Sequence, residues 1–255
     1  MVSTSARLDK LLVDRGLAPS RERARALILA GKVRVDGERV TKAGCMVPAG
    51  SAVSLTGPDI PYVSRGGLKL EHALDTFRLS VDGLVAMDVG ASTGGFTDCL
   101  LQRGAGRVYA VDVGYGQLAW KLRQDPRVVV IERRNIRTLP PDAVPEPIQA
   151  AVIDVAFISL RLVLPAVLPF LTDDALLVAL IKPQFEAGRA LVGKGGVVRD
   201  PAVHKQICDD VVELVQSLGC SVLGVTASPI LGPHGNREFL IAAVRSSASP
   251  HGRSS

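Results

Sequence analysis

The chain has 255 residues, 47% hydrophobic and 22% charged with a net charge of +5, enough to bury one main core and a smaller second unit. No run approaches the roughly 18 consecutive apolar residues a membrane span requires. The N-terminus "MVSTSARLDK" has no apolar export region, and four cysteines (Cys45, Cys99, Cys208, Cys220) are widely spaced with no C-x-x-C pair, so a secreted disulfide scaffold and a zinc site are disfavoured. A reducing, cytoplasmic setting with no metal and no membrane partner is expected. The elements then read in chain order. "ARLDKLLVDRG" predicts a short helix with Leu8, Leu11 and Leu12 on one face and a stop at Gly16. "SRERARALILAG" predicts a second, with Ser20 as N-cap, Ala24, Leu27 and Ile28 buried, and Gly31 as the stop. "KVRVDGERV" alternates like a hairpin with an Asp-Gly turn, and "GSAVSLTG" supplies a further short strand.

Residues 1–60 hold ten Lys/Arg against six Asp/Glu, so +4 of the net charge lies there, the footprint of a polyanion partner. Two helices and a hairpin, with arginines on the helices, resemble the RNA-binding module of the ribosomal protein S-four type (the alpha-L motif) over about residues 6–55. The resemblance implies a grip on structured RNA through shape and phosphates. The expected division is an RNA-binding unit at 1–58, a linker at 59–63 within "TGPDIPYV", a larger unit at 64–246, and a tail at 247–255 too poor in apolar residues to order itself.

From Leu84 onward strands and helices alternate, which predicts a mostly parallel sheet covered on both faces. Strands are expected at 84–89, 107–112, 127–131, 149–154, 175–182, 221–227 and 237–244. Helices are expected at about 93–103, 116–124, 158–171 and 201–218, the third of them made uneven by Pro165 and Pro169. "VAMDVGASTGGFTDCL" is an apolar strand ending at Asp88, a glycine-bearing turn, and a helix opening at Gly94-Gly95-Phe96. Gly90 is followed by Ala91-Ser92-Thr93, so the G-x-G-x-x-G pyrophosphate pattern is not met. An acid before the first glycine and a second, Asp112, after the next strand suit a nucleoside ligand without a diphosphate, and S-adenosylmethionine fits. The candidate cofactor residues are Asp88, Gly90, Ala91, Ser92, Gly94, Gly95, Phe96, Asp112 and Asn135. "GRALVGKG" (188–195) satisfies G-x-x-x-x-G-K but has Gly195 where a phosphate loop needs Ser or Thr, so nucleoside triphosphate binding is rejected there.

Three polar residues stand at the ends of apolar strands: Asp154 after "AAVI", Lys182 after "ALLVALI", and Glu238 before "FLIAAV". Ligands bind beyond the carboxyl ends of the strands in such sheets. If the last strand runs antiparallel, these residues meet the Gly90 loop, and Lys69 of "SRGGLKL" reaches them from the preceding helix. The order Lys69, Asp154, Lys182, Glu238 resembles the Lys-Asp-Lys-Glu tetrad of FtsJ-like ribose 2'-O-methyltransferases. With "DVGASTGGFTD", "VDVGYGQLAW", "DVAFISL", "IKPQFE" and "GNREFL", the chain is identified as a member of the TlyA family of ribosomal RNA methyltransferases, often labelled haemolysin A, over about residues 6–244.

That resemblance implies a Rossmann-like α/β methyltransferase body using S-adenosylmethionine, and cytidine ribose methylation in small- or large-subunit ribosomal RNA. Lys182 is expected to take the hydroxyl proton or steer the oxygen, Lys69 to support it, and Asp154 and Glu238 to orient the ammonium groups. The sequence lacks an Asn/Asp-Pro-Pro-Tyr/Phe motif and a cysteine placed to attack a pyrimidine, which disfavours base methylation. Arg7, Arg21, Arg23, Lys32, Lys42, Arg65, Arg133 and Arg137 are the candidate RNA contacts, and a monomer is expected. The competing readings are a non-catalytic ribosome-assembly protein, a membrane-active haemolysin and a nicotinamide oxidoreductase.

Overall fold

The computed structural model describes residues 5–18, 20–29, 31–56, 60–188, 191–193, 195–232 and 235–246. The tail at 247–255, residues 57–59 at the end of the expected RNA-binding unit and the start of its linker, and Lys194 of the rejected phosphate-loop match lie outside them. The chain forms two compact units, divided between residues 59 and 60.

In the first unit β1 (Ser5–Arg7) leads directly into α1 (Leu8–Asp14), followed by α2 (Arg21–Leu29), β2 (Val33–Val35), β3 (Glu38–Val40), β4 (Met46–Pro48) and β5 (Val53–Leu55). Ser20 caps α2, its hydroxyl oxygen accepting the Arg23 amide at 3.2 Å. The hairpin turns at Asp36-Gly37, both with positive φ, as a tight two-residue loop demands. Leu8, Leu12, Ala24, Ile28 and Val33 are fully buried together, so the apolar stripes of both helices close on the small sheet. The pairing of β1 with β4 was not foreseen, because three-residue strands are too short to show a period.

The second unit runs α3 (Gly66–Thr76), β6 (Val85–Val89), α4 (Gly95–Gln102), β7 (Arg107–Val111), α5 (Trp120–Arg123), β8 (Val128–Ile131), β9 (Ile148–Ile153), α6 (Leu160–Val167), β10 (Leu171–Ile181), α7 (Pro183–Glu186), α8 (Pro201–Ser217), β11 (Cys220–Ala227) and β12 (Phe239–Arg245). The strands form a seven-stranded sheet ordered β11-β12-β10-β9-β6-β7-β8, in which β12 alone runs against its neighbours. One core layer joins Leu70, Leu74, Cys99 and Leu100 of α3 and α4 to one face of the sheet. The other joins Leu160, Val163, Leu164, Ile207, Val211 and Val215 of α6 and α8 to the opposite face. Each such fully buried Leu or Val contributes about 1.5–3 kcal/mol.

Three expected elements changed. The helix expected at 116–124 shrinks to α5, because Gly114 and Gly116 carry a turn whose amides are held by Asp112 Oδ1 at 2.6 Å and Glu132 Oε1 at 3.0 Å. The helix expected at 158–171 is α6 up to Val167 and then a 3₁₀ turn at Leu168–Phe170, where Pro169 falls. β10 starts at Leu171, four residues early, with a register shift before Leu176 and Asp174 at a φ of 62°.

Registers place the site. Val89 of β6 lies opposite Ile153 of β9, Ile153 opposite Ala179 of β10, and Ile181 opposite Phe239 of the antiparallel β12. Gly90, Asp154, Lys182 and Glu238 therefore all stand at one sheet edge, beside the point between β6 and β9 where strand order reverses.

Candidate active site

The loop after β6 crosses the sheet edge: the amides of Gly90 and Ala91 donate to Val111 O at 2.8 and 3.3 Å. Gly90 has a φ of 86°, and a Cβ there would stand 2.5 Å from the carbonyl oxygen of Asp154. Ser92, at a φ of 49°, donates its amide to Asp112 Oδ2 at 2.7 Å. Gly94, at a φ of 94°, precedes α4 and packs where a Cβ would strike the Leu122 side chain. Gly95, the first residue of α4, has a related use. A Cβ on Gly95 would meet Gly67 N at 2.9 Å, so α3 and α4 start in close approach, and the first turn of α3 brings Lys69 to the loop.

Lys69 Nζ donates to Glu238 Oε2 at 2.5 Å, and Lys182 Nζ lies 2.6 Å from Asp154 Oδ1 as an ion pair off hydrogen-bond alignment. Asp154 Oδ1 and Glu238 Oε1 are buried atoms without a hydrogen-bond partner, which is acceptor capacity held in reserve at the site. Lys69, Asp154 and Lys182 line one pocket of about 460 Å³ together with Ser64, Arg65, Gly90, Ser92, Phe96 and Gly232. Glu238 stands out of solvent behind this lining, and a Cβ on Gly232 would come within 2.2 Å of its Oε1.

The structure departs from sequence expectation at three cofactor candidates. Asp88 is fully buried and accepts the Thr97 hydroxyl at 2.6 Å, so it supports the loop from below and does not line the pocket. Burial pushes its carboxyl up to about 7. Asn135 lies outside the pocket lining, its side-chain oxygen accepting the Arg137 amide at 3.0 Å to cap a 3₁₀ turn. Gly94 shapes the turn against Leu118 and Leu122 without lining the pocket. Gly90, Ala91, Ser92, Gly95 and Phe96 do line it, and Asp112 lines an adjoining cleft with Ala91, Ser92, Gln117, Leu118 and Glu132. That cleft encloses only about 10 Å³, since Ser92 Oγ and Gln117 Oε1 meet across it at 3.3 Å.

Residues absent from the sequence reading complete the site. Glu186 accepts the Ser159 hydroxyl at 2.6 Å and the Leu160 amide at 2.8 Å, tying the segment after Lys182 to the segment after Asp154. Phe157 and Phe185 make a second tie, with ring centroids 5.1 Å apart. Phe157 is 91% exposed at a φ of 64°, three residues past Asp154. An exposed aromatic in "DVAFIS" was a legible signal, while Glu186 was not, since its partner is 27 residues away.

Burial raises the Cys99 and Cys208 thiols to about 12 and about 11, so neither supplies a ready thiolate. Arg65 lines the pocket and donates to Leu231 O at 3.2 Å; exposed Arg133 lies over the Tyr115 ring at 4.0 Å; Arg137 is exposed beside Asn135. In the first unit, Lys42 is exposed, Lys32 and Arg23 are half-buried, and Arg7 and Arg21 bind the carboxylate of Asp9. Among the described residues no helix is long and apolar enough to cross a membrane, and no group of three His, Cys, Asp or Glu is placed to hold a metal.

The pattern of an FtsJ-like methyltransferase matches residues 62–245, and that of an S4 domain matches residues 6–53. The 16S/23S rRNA (cytidine-2'-O)-methyltransferase TlyA of Mycobacterium tuberculosis is 50% identical over 92% of this chain and 88% of its own length. Hemolysin A of Brachyspira hyodysenteriae is 41% identical over 92% of this chain and 98% of its own. A solved structure from Streptococcus thermophilus, bearing a hemolysin name, is 46% identical, covers 96% of this chain and 90% of its own, and has a TM-score of 0.75.

Proposed function

This chain belongs to the FtsJ-like methyltransferase family, and from that premise we propose that it is an S-adenosylmethionine-dependent ribose 2'-O-methyltransferase acting on cytidine in ribosomal RNA. The observation that carries the reading is the convergence of two lysine–carboxylate pairs, Lys69–Glu238 and Lys182–Asp154, beside the glycine loop. The likeness to the cytidine-2'-O-methyltransferase TlyA supports the substrate, and the S4 match supports an RNA-gripping first unit.

The residues present fit the cofactor. The pocket's volume is within the roughly 300–1,000 Å³ of small-molecule sites, its floor is a loop without bulky side chains, and buried Asp154 Oδ1 has an acceptor position unspent. Ser92, Asp112, Gln117 and Glu132 would hold the nucleoside end once Gln117 swings aside from Ser92, and Asp154 would face the methionine end. When bound, S-adenosylmethionine supplies a methyl group already activated by its sulfonium, so the protein's task is alignment and proton removal. Lys182, with Asp154 fixing its ammonium, orients the 2'-oxygen toward that methyl group. The hydroxyl proton leaves as the carbon–oxygen bond forms, with Asp154 as the nearest acceptor. Lys69, anchored by Glu238, stabilises negative charge gathering on the oxygen. Phe157 offers an exposed ring on which the target nucleobase can stack at the rim.

Incubation of ribosomal subunits with the protein and labelled cofactor, followed by ribose-methylation mapping, tests the reading. A 2'-O-methylcytidine is expected. Lys182→Ala abolishes it while cofactor binding survives; full activity in that variant removes Lys182 from the chemistry.

A further inference from the structure

The first unit contains a buried carboxylate that the catalytic chemistry does not use. Asp9, in the first turn of α1, has 0% of its side chain exposed, yet three guanidiniums with 44–54% of their side chains exposed converge on it. Arg7 grips it with two bonds, Nε to Oδ1 at 3.0 Å and Nη2 to Oδ2 at 3.1 Å. Arg21 Nη2 and Arg25 Nε both donate to Oδ2, at 3.0 and 3.2 Å. The Lys10 amide adds a bond to Oδ1 at 3.0 Å. The Arg7 hydrogen bond foremost, and the other two arginines with it, hold the Asp9 carboxyl far below the usual carboxylate range.

We propose that Asp9 is a positioning residue for RNA recognition: it gathers Arg7, Arg21 and Arg25 into a fixed tripod whose outer edges bind the phosphates of folded RNA. The inference rests on the RNA-directed function proposed above and names the surface through which the first unit serves it. One cation suffices to neutralise a buried carboxylate, and the other two make the cluster a net +2 facing solvent. Arg21 and Arg25 lie one helical turn apart on α2, where like charges repel and disperse. The shared Oδ2 draws them together instead. Each guanidinium carries five donors in a rigid fork, and Asp9 uses two of those on Arg7 and one each on Arg21 and Arg25. The remainder are held in place at half-exposed positions, so phosphate binding does not have to immobilise three long side chains. Such a tripod reads the spacing of phosphates, which is how double-helical RNA is recognised.

Two predictions of opposite sign separate this role from bulk electrostatics. Asp9→Asn raises the net charge by one, so charge counting predicts tighter RNA binding. The tripod predicts that the full chain binds purified ribosomal subunits about ten-fold more weakly. A shallower salt dependence accompanies that loss, and KM for subunits rises while kcat and cofactor affinity hold. Binding to a short mixed-sequence single strand changes far less.

Because Asp9→Asn touches a buried group, the double variant Arg21→Lys/Arg25→Lys supplies an arm that keeps the charge and alters half-exposed positions. The tripod predicts a comparable loss there, and combination with Asp9→Asn adds less than the product of the separate effects. Asp9→Asn binding subunits as well as or better than the unaltered chain overturns the inference. So does the lysine double variant at full affinity, which decides the matter alone if thermal melting shows Asp9→Asn unfolded. An unaltered chain that methylates neither subunit, yet binds them in an Asp9-dependent way, refutes the catalytic function and leaves the tripod standing.

Discussion

Lys69→Met tests whether the inner ion pair is both buried and catalytic. The substitution leaves Glu238 with a carboxylate wholly out of solvent, its Oε1 already without a hydrogen-bond partner and its Oε2 deprived of a 2.5 Å contact. Breaking a buried pair by removing one partner costs about 3–5 kcal/mol. In a unit of this size each kcal/mol moves the melting temperature by about 2–4 °C, so a fall of roughly 6–20 °C is expected. Lys69→Met/Glu238→Gln removes both charges and keeps their approximate shape. Neutral replacement of a buried pair is often neutral or stabilising, so the double variant recovers most of the lost stability. Methyl transfer does not recover, because the ammonium beside the reacting oxygen is still missing. Calorimetric melting and labelled-methyl incorporation into ribosomal subunits report the two effects separately. A single variant that melts with the unaltered chain shows that the carboxylate is not isolated as described. A double variant regaining activity together with stability makes the pair architectural.

Three further outcomes are expected. Glu186→Ala unties the segments that follow Asp154 and Lys182, lowering kcat about ten-fold or more with cofactor affinity kept, and Glu186→Gln, whose single carbonyl oxygen still accepts the Leu160 amide while its NH2 can donate to the Ser159 hydroxyl oxygen, restores part of it in the same methyl-transfer assay. Gly232→Ala places a Cβ 2.2 Å from Glu238 Oε1, so titration calorimetry should find cofactor binding intact while turnover falls as Glu238 is pushed off Lys69. Asp88, raised from its ordinary 3.8 to about 7, binds a proton more tightly folded than unfolded. Its stabilising contribution is therefore present below about pH 4 and lost as pH rises through about 7, at no more than about 1.4 kcal/mol per pH unit. Melting curves across that range should decline for the unaltered chain and flatten in Asp88→Asn.

The sheet was legible because the strands of the second unit each carry a short apolar run flanked by a polar or glycine residue, and several of those residues stand at the one sheet edge that lines the pocket. Asp154, Lys182 and Glu238 were found by that rule, and Lys69 because its helix opens on two glycines; the close approach of α3 and α4 rests on Gly95, where a Cβ would meet Gly67 N. What stayed hidden depends on partners far away in sequence or on chain path. Asp88 looks like a ligand residue until burial and Thr97 claim it. The helix expected at 116–124 has suitable composition, yet Asp112 and Glu132 take the amides of Gly114 and Gly116 and hold that stretch as a turn. The arginines of α2 were legible as a basic face, but their shared attachment to Asp9, 12 and 16 residues away, was not.

The pairing of the four charged residues also changes what the site has to do. The structure gives each lysine its own carboxylate, at 2.5 and 2.6 Å, and under the proposed function Lys182 serves as a donor that aims the oxygen. On the proposed mechanism, proton removal then falls to a carboxylate oxygen, and Asp154, the more solvent-accessible of the two carboxylates, is the better placed to pass the proton on. The four charges also sum to zero, so the tetrad contributes little long-range attraction for an anionic substrate. Under the proposed function, capture of RNA would fall to arginines outside it, Arg65 at the pocket and the Asp9 tripod in the first unit. Substitutions in the tetrad should accordingly lower turnover and spare docking, whereas those at the arginines should weaken docking and spare turnover on bound substrate.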